Sequence, residues 1–133
     1  MPALVADTHV AIWHLANDPR LSQAAAQAIE EATAAGDPIW IPSISLVEIT
    51  YLVEKGKLLP LARERLMEML HNPSGAYQLA PLDGPVADAV QQIPRDTIPD
   101  LPDRVIAATA LALNAPLVSR DGKLRASQIQ TIW

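Results

Sequence analysis

Short apolar runs that alternate with longer segments of helical periodicity restrict the fold of this chain more than any other feature. The apolar runs lie at 4–6, 38–42, 77–80, 116–119 and 129–133. The run Leu4-Val5-Ala6 has no polar alternation, which is typical of a strand that is covered on both faces. The alternation of strands with helices therefore predicts an α/β fold with a parallel sheet and helices on both sides.

Local signals predict where the helices begin and end. Ser22 is a good N-cap for the second helix, and Ser43 or Ser45 is expected to cap the third. Gly36 and Gly56 are expected to end these two helices, since glycine adopts the left-handed conformation at a helix C-terminus without strain. Helical spacing predicts helices over 8–16, 23–35, 43–54, 61–70, 85–93 and 100–113.

Length and residue types limit the kind of protein. A chain of 133 residues predicts one domain spanning 1–133, and half of its residues are apolar, which is enough for a core. The absence of cysteine excludes disulfides and cysteine-ligated zinc and fits a reducing cytoplasm. No apolar stretch approaches the roughly 20 residues of a membrane span, and the first residues lack the basic region of a signal peptide. We therefore expect a cytoplasmic protein.

The net charge of -5 bears on possible partners. A protein that binds nucleic acid through its overall charge would be basic. If nucleic acid is the substrate, local basic residues and a bound cation must attract it. The chain has three Trp, two Tyr and no Phe, so an extended platform for stacking bases is not expected.

Four acidic residues, Asp7, Glu48, Asp103 and Asp121, each end or interrupt an apolar stretch. In open α/β sheets, ligands bind outside the carboxyl ends of the strands, and Asp7 and Asp121 each follow a predicted strand. We therefore expect the four carboxylates to face one crevice. At about 5 Å, each pair would repel by roughly 3 kcal/mol at an effective dielectric near 20, so the crevice needs a cation. Ligands that are all oxygen favour Mg²⁺ or Mn²⁺.

Each acid also has a simpler interpretation. Asp7 fits an N-cap, Asp100 and Asp103 fit a capping box, and Asp121 fits a turn. For Asp100, capping is the preferred interpretation. Glu48 lies within a helix and caps nothing, so it either points outward between apolar neighbours or lines a polar pocket. The metal-site hypothesis rests on the joint pattern of the four acids.

Motifs of other chemistries are absent from the sequence. The three histidines lack the spacing of a metal-binding HExxH motif, and no serine lies in a G-x-S-x-G elbow. The five glycines form neither a P-loop nor a dinucleotide-binding fingerprint. A phosphatase with an aspartyl nucleophile would need a second Asp two residues after Asp7, where this chain has His9.

The four acids lie in the segments DTHVAIW at 7–13, SISLVEI at 43–49, DRVIAATALA at 103–112 and PLVSRDGKLR at 116–125. These segments resemble the acidic motifs of PIN-domain ribonucleases, in particular the VapC-type toxins of toxin–antitoxin modules. Their order and spacing match over nearly the whole chain. The run Asp100-Leu101-Pro102-Asp103-Arg104 departs from the Asp-Pro-aromatic-Asp-Arg run of many relatives, which leaves Asp103 in place and the role of Asp100 open.

The resemblance implies a three-layer α/β/α sandwich with a parallel central sheet, and an endoribonuclease that depends on Mg²⁺ or Mn²⁺. Carried over by position, the catalytic and metal-site acids would be Asp7, Glu48, Asp103 and Asp121. The resemblance also implies an antitoxin protein as partner and a homodimer. Surplus apolar residues of the first helix, Ile12, Trp13 and Leu15, fit such an interface or the core.

Hydroxyl and basic residues beside the acids suggest supporting roles. Thr8 and Ser45 are expected to form hydrogen bonds to the metal-site acids, since Ser45 shares a helix face with Glu48 three residues on. Four basic residues flank the acidic motifs and are expected to contact RNA phosphates, with ordinary solvated charge as the alternative. These are Arg104, Arg120, Lys123 and Arg125.

Three other classes of protein stay open at the level of sequence. A metal-dependent phosphoesterase could use the same acids on DNA or on small phosphate esters. A PIN-like domain without activity could only bind a partner, and an ordinary α/β domain could use the acids as caps and turns. The first is separated from a ribonuclease by its substrates, and the last by its failure to bind Mn²⁺.

Overall fold

Five parallel strands form the centre of the computed structural model, which describes residues 3–125 and 127–133. The strand order is β3-β2-β1-β4-β5. All five predicted strands are present, although the last two are shorter than the apolar runs that predicted them. The strands are β1 Leu4–Ala6, β2 Ile39–Pro42, β3 Tyr77–Ala80, β4 Leu117–Val118 and β5 Thr131–Ile132.

The helices follow the predicted order with two differences. The helix predicted over 85–93 is shorter and continues as a 3-10 turn at Val90–Gln92. A further helix follows Asp121, where the sequence had indicated only a turn, because the Asp121 carboxylate accepts the N–H groups of Lys123 and Leu124. The helices are α1 Thr8–Leu15, α2 Gln23–Ala34, α3 Ser43–Glu54, α4 Pro60–His71, α5 Gly84–Ala89, α6 Leu101–Leu113 and α7 Gly122–Arg125.

Side chains that alternate along the strands enter two separate apolar cores. Leu4 and Ala6 of β1 belong to one core, with residues of α1, α2 and α4. Val5 belongs to the other core, with residues of α5 and α6. Since successive strand residues point to opposite faces, helices cover both faces of the sheet. This confirms the expected α/β/α sandwich.

Helix ends confirm most of the predicted caps. Ser22 accepts the N–H of Ala25, and Gly36 and Gly56 have φ of 78° and 73° just beyond the second and third helices. The predicted serine cap of α3 is wrong, because Pro42 occupies the N-cap position and no side chain caps the helix. Ser43 instead accepts the N–H of Leu82.

Ile12 and Trp13 do not lie at the surface, as a subunit interface would require. Both side chains are buried in the core on the α1 side of the sheet, and Leu15 packs against that core partly exposed. The core interpretation is therefore correct for Ile12 and Trp13. Among the described residues, no helix combines the length and the apolar character needed to cross a membrane.

Packing of α6 against the sheet is expected to hold the first turn of that helix at the carboxyl ends of the strands. Ile106 is fully buried in the core that contains Val5 and Leu117. We expect Ile106→Ala to lower the free energy of unfolding by about 2–5 kcal/mol in urea titrations, since it removes buried methyl groups and leaves a cavity. Leu113→Ala on the same helix, at a 40% exposed position, is the control and should cost less than about 1 kcal/mol. Equal losses for the two variants would contradict this packing.

Candidate metal centre

A cleft of about 350 Å³ lies at the carboxyl edge of the sheet. The Asp7 N–H donates to the carbonyl of Val118, so the ends of β1 and β4 are joined at this edge. All four acids that the sequence singled out line the cleft, although they come from distant parts of the chain. The lining residues are Asp7, Thr8, His9, Val10, Trp13, Arg20, Glu48, Asp103, Arg120 and Asp121.

Asp7 connects β1 to α1 and has both carboxylate oxygens engaged. Its Oδ1 accepts the N–H of Thr8 at 2.7 Å, and its Oδ2 accepts the hydroxyl of Ser119 at 2.7 Å. Burial raises the pKa of Asp7 above its ordinary value, while the two hydrogen bonds oppose that rise. Asp7 is thus the N-cap residue of α1 as well as part of the cleft, and the two interpretations of this residue are compatible.

Glu48 points into the cleft and is held there by hydroxyl groups. The Thr8 Oγ1 lies 2.8 Å from Glu48 Oε1 and 2.8 Å from Ser45 Oγ. Thr8 has one hydroxyl proton, so when Thr8 donates it to the ionised Glu48, Ser45 must donate to Thr8. Ser45 is fully buried, and burial raises the pKa of Glu48. The sequence left Glu48 either pointing outward or lining a polar pocket, and the structure places it in the polar pocket.

Asp103 lies in the first turn of α6 and its carboxyl group is the most perturbed in the cleft. The Asp100 carboxylate caps this helix by accepting the N–H of Asp103 at 3.0 Å. Burial, followed by repulsion from Asp100, Asp7, Asp121 and Glu48, raises the pKa of Asp103 to about 7. A cation in the cleft would favour the ionised form of Asp103, because its positive charge opposes both the effect of burial and the repulsion on the pKa.

Ser119, which the sequence patterns did not single out, links Asp121 to Asp7 by two hydrogen bonds. Ser119 is fully buried, donates its hydroxyl to Asp7, and accepts the N–H of Asp121 at 3.1 Å. The Asp121 Oδ1 accepts the N–H of Lys123 at 2.8 Å, as a turn residue would. The available signal was a serine at the end of an apolar run, two residues before an acid.

The oxygen atoms of the four cleft acids fit a hard divalent cation, although their carboxylates are not arranged around one point. Among residues 3–125 and 127–133, no three His, Asp or Glu side chains already stand in an arrangement that could hold a metal ion. Carboxylates repel one another by roughly 3 kcal/mol per pair at about 5 Å, so closer approach requires positive charge between them. The four acids of the cleft supply carboxylate oxygens around such a charge, and oxygen ligands match the preference of Mg²⁺ and Mn²⁺.

Of the four basic residues expected at RNA phosphates, only Arg120 lines the cleft. Arg104 donates to the carbonyls of Ile93 and Val90 at 3.0 and 3.1 Å, so its guanidinium holds the 3-10 turn instead. Lys123 and Arg125 are exposed on α7 outside the cleft lining. Both residues belong to the one-turn helix α7, whereas the sequence had predicted only a turn at 121–122.

The fold and the cleft together define an α/β/α domain with an acidic centre at the carboxyl edge of a parallel sheet. The family model described as PIN domain matches residues 4–128, and the chain belongs to this family. It is 32% identical to Ribonuclease VapC22 of Mycobacterium tuberculosis (strain ATCC 25618 / H37Rv) over an alignment of 142 positions that covers 100% of both chains.

Solved structures show the same fold at lower identity. A chain of VapBC2 from Rickettsia felis, bound to a DNA fragment from their promoter, has a TM-score of 0.72 and 19% identity, with 97% of this chain and 96% of that chain covered. A chain of a toxin–antitoxin complex from Klebsiella pneumoniae has a TM-score of 0.64 and 22% identity, with 98% and 96% covered.

The raised pKa of Asp103 predicts how metal-free protein responds to pH. The folded-state pKa of about 7 lies above the ordinary 3.8, so the native state binds this proton more tightly than the unfolded chain does. Stability from this group is present below pH 3.8 and falls as pH rises to about 7. In EDTA, the parent Tm minus the Asp103→Asn Tm should therefore decrease by a few degrees from about pH 5 to about pH 8.

Comparison with the variant is needed because His14 has the opposite effect. Burial lowers the pKa of His14, so its contribution to stability rises as pH rises. Asp88→Asn, an exposed acid on α5, serves as the control and should leave the pH dependence unchanged. A parent-to-variant Tm difference that stayed flat, or increased toward pH 8, would show that burial and the neighbouring carboxylates do not raise the pKa of Asp103.

Proposed function

We propose that this protein is an endoribonuclease that depends on Mg²⁺ or Mn²⁺ and hydrolyses RNA phosphodiester bonds. The observation that carries the proposal is the meeting of Asp7, Glu48, Asp103 and Asp121 at one cleft of a PIN-domain chain. A relative that matches along its whole length is named as a ribonuclease, which supports RNA as the substrate.

Asp7 and Asp103 would contact the main metal ion, and Glu48 and Asp121 would complete the site directly or through water. A divalent cation in this position supplies water activation and neutralises phosphate charge. Glu48 has one oxygen bonded to Thr8, which leaves its Oε2 to accept a proton from the attacking water or to orient it. The proposal requires all four carboxyl groups to be ionised.

Three hydroxyl groups would fix the directions of these carboxylates. Thr8 and Ser45 hold Glu48, and Ser119 holds Asp7. Hydrogen-bond partners of metal-binding carboxylates limit the orientations that the ligands can adopt. A ligand that is already oriented loses less conformational freedom when a metal or a substrate binds.

Asp7→Asn tests the role of the carboxylates in catalysis. We expect the variant to lose more than about 100-fold in the rate of RNA cleavage with Mg²⁺ or Mn²⁺, because even outer partners of metal ligands contribute 10–100-fold. The amide keeps the size and one of the two acceptor oxygens, and it removes a charge that is repelled by Asp121, so the Tm should change little or rise in EDTA. Cleavage of a labelled RNA on denaturing gels measures the rate.

Asp96→Asn, an exposed acid outside the cleft lining, is the matched control and should cleave at the parent rate. Single-stranded DNA of the same sequence and a phosphate monoester complete the substrate panel. RNA cleavage by Asp7→Asn at the parent rate would exclude the metal assignment. Faster cleavage of DNA or of the monoester would favour the phosphoesterase alternative.

We further propose that the protein is the toxin of a cytoplasmic toxin–antitoxin pair and forms a homodimer. The similar structure from Klebsiella pneumoniae is a toxin–antitoxin complex, which supports a protein partner. The C-terminal segment of the antitoxin would cover the acidic cleft and place a basic side chain among the carboxylates. Val47 and Tyr51 lie one turn apart on α3 and are 63% and 57% exposed, so this helix has apolar surface for association.

Co-expression with a short reading frame next to the gene tests the partner. We expect the two proteins to purify together and the complex to cleave RNA at least about tenfold more slowly than the free protein, because a segment in the cleft excludes substrate. The control is the same partner without its C-terminal segment, which should no longer inhibit. Inhibition by the truncated partner would exclude this mode of binding, and sedimentation equilibrium of the free protein tests the dimer.

A further inference from the structure

Two arginines line the cleft together with its acidic residues, and the metal-site acids give no role to either of them. Arg20 and Arg120 both line the cleft, and their guanidinium carbons lie 5.2 and 4.8 Å from the centroid of the Trp13 ring. Trp13 is 5% exposed, so the ring is a fixed surface. Trp133 packs against it from the end of the sheet, with ring centroids 6.0 Å apart.

The chain reverses at the end of α1 and places Arg20 over the indole ring of Trp13, which belongs to that helix. Asn17 adopts the left-handed conformation, with φ of 51°, and its N–H donates to the carbonyl of His14. The next N–H, that of Asp18, donates to the carbonyl of Trp13 at 2.8 Å. These two bonds form a Schellman motif, which reverses the chain at the helix C-terminus. Arg20, two residues later, therefore lies close to Trp13.

Asp18 fixes the orientation of the Arg20 guanidinium. The Arg20 Nε donates to Asp18 Oδ1 at 3.1 Å and its Nη2 donates to Oδ2 at 2.8 Å, while the Arg20 backbone N–H also donates to Oδ1. These bonds lower the pKa of Asp18 to about 2, so the carboxylate is ionised throughout the physiological range. The two side-chain bonds to Asp18 use two of the five guanidinium N–H donors, which leaves three for a ligand.

Arg120 lies between Ser119 and Asp121 at the end of β4, yet it is not neutralised by the neighbouring acids. Within the described part of the chain, the one ion pair is that of Arg20 with Asp18, so Arg120 has no carboxylate within 4.0 Å. Its guanidinium stacks on Trp13 instead. An arginine that stays unpaired beside several carboxylates keeps its hydrogen-bond donors available for an incoming anion.

We propose that Arg20 and Arg120, held on Trp13, form a phosphate subsite that binds the RNA backbone beside the carboxylates, with Asp18 as a positioning residue for Arg20. The identity of the polymer rests on the proposed function. Guanidinium groups match phosphate oxygens in a bidentate geometry, and cations at the cleft offset the repulsion between RNA and an acidic protein. The subsite would place the strand without reading its sequence.

Binding of labelled single-stranded RNA to the full chain in EDTA, followed by fluorescence anisotropy over a salt series, tests the subsite apart from metal chemistry. We expect Arg20→Gln and Arg120→Gln each to raise Kd about tenfold at low salt, and each to reduce the slope of log K against log salt by about 0.7. Arg65→Gln, an exposed arginine on α4 outside the cleft lining, is the matched control and should leave both quantities unchanged.

Three results would overturn the subsite: no RNA binding by the parent, equal weakening by Arg65→Gln, or unchanged Kd in both cleft variants. A parent that binds RNA through the two arginines but does not cleave it with Mg²⁺ or Mn²⁺ would overturn the proposed function and leave the subsite standing.

The positioning role of Asp18 has a separate readout. We expect Asp18→Asn to raise KM for RNA cleavage several-fold with unchanged kcat and unchanged Tm, because Arg20 keeps its charge and loses its fixed orientation. A fall in Tm that accounts for the loss of activity, or an unchanged KM, would show that Asp18 only stabilises the loop.

Discussion

Mutual repulsion of carboxylates at one edge of the sheet is the constraint on which the rest of the site depends. Parallel strands end at the same edge, so Asp7 after β1 and Asp121 beyond β4 are close by topology. Helices α3 and α6 add Glu48 and Asp103 to the same cleft. Burial first, and repulsion from neighbouring carboxylates second, raise the pKa of Asp7, Glu48 and Asp103, so both effects disfavour the ionised groups without a counter-charge.

Hydrogen bonds from buried hydroxyl groups stabilise this cluster of carboxylates. Thr8, Ser45 and Ser119 are almost fully excluded from solvent, and each forms a hydrogen bond within the site. Among the described residues, every buried side-chain nitrogen or oxygen has a hydrogen-bond partner. Because a buried polar group without a partner costs about 1–3 kcal/mol, these hydroxyls stabilise the fold only while the carboxylates accept from them. The site and the local fold are thus coupled.

Elements that depend on local pattern were predictable from the sequence, and contacts between distant segments were not. Apolar runs identified the strands, and Ser22, Gly36 and Gly56 marked helix ends that the structure confirms. The N-terminus of α3 was misjudged because tertiary contacts use its serines for other partners. The acids were found because a carboxylate beside apolar residues is an unusual local pattern.

The residues that were missed or misplaced share one physical reason. A serine or an arginine is common at a surface, so its type gives no sign that Ser119 is buried against Asp7 or that Arg104 donates to the carbonyls of a distant turn. Arg20 lies thirteen residues after Asp7 and reaches the cleft only because a left-handed Asn17 reverses the chain. Such reversals depend on backbone conformation at one residue, which apolar periodicity does not encode.

The proposed phosphate subsite depends on arginines that do not neutralise the cleft acids. Among the described residues, Arg20 pairs with Asp18 and Arg120 has no carboxylate within 4.0 Å, while both guanidinium groups lie over the Trp13 ring. Direct pairing with the cleft acids would neutralise both kinds of charge and leave neither a metal-binding nor a phosphate-binding surface. An indole ring stabilises a guanidinium through its π face without consuming the N–H donors in its plane. The buried tryptophan therefore leaves both the carboxylates and the guanidinium N–H donors of the cleft available to ligands.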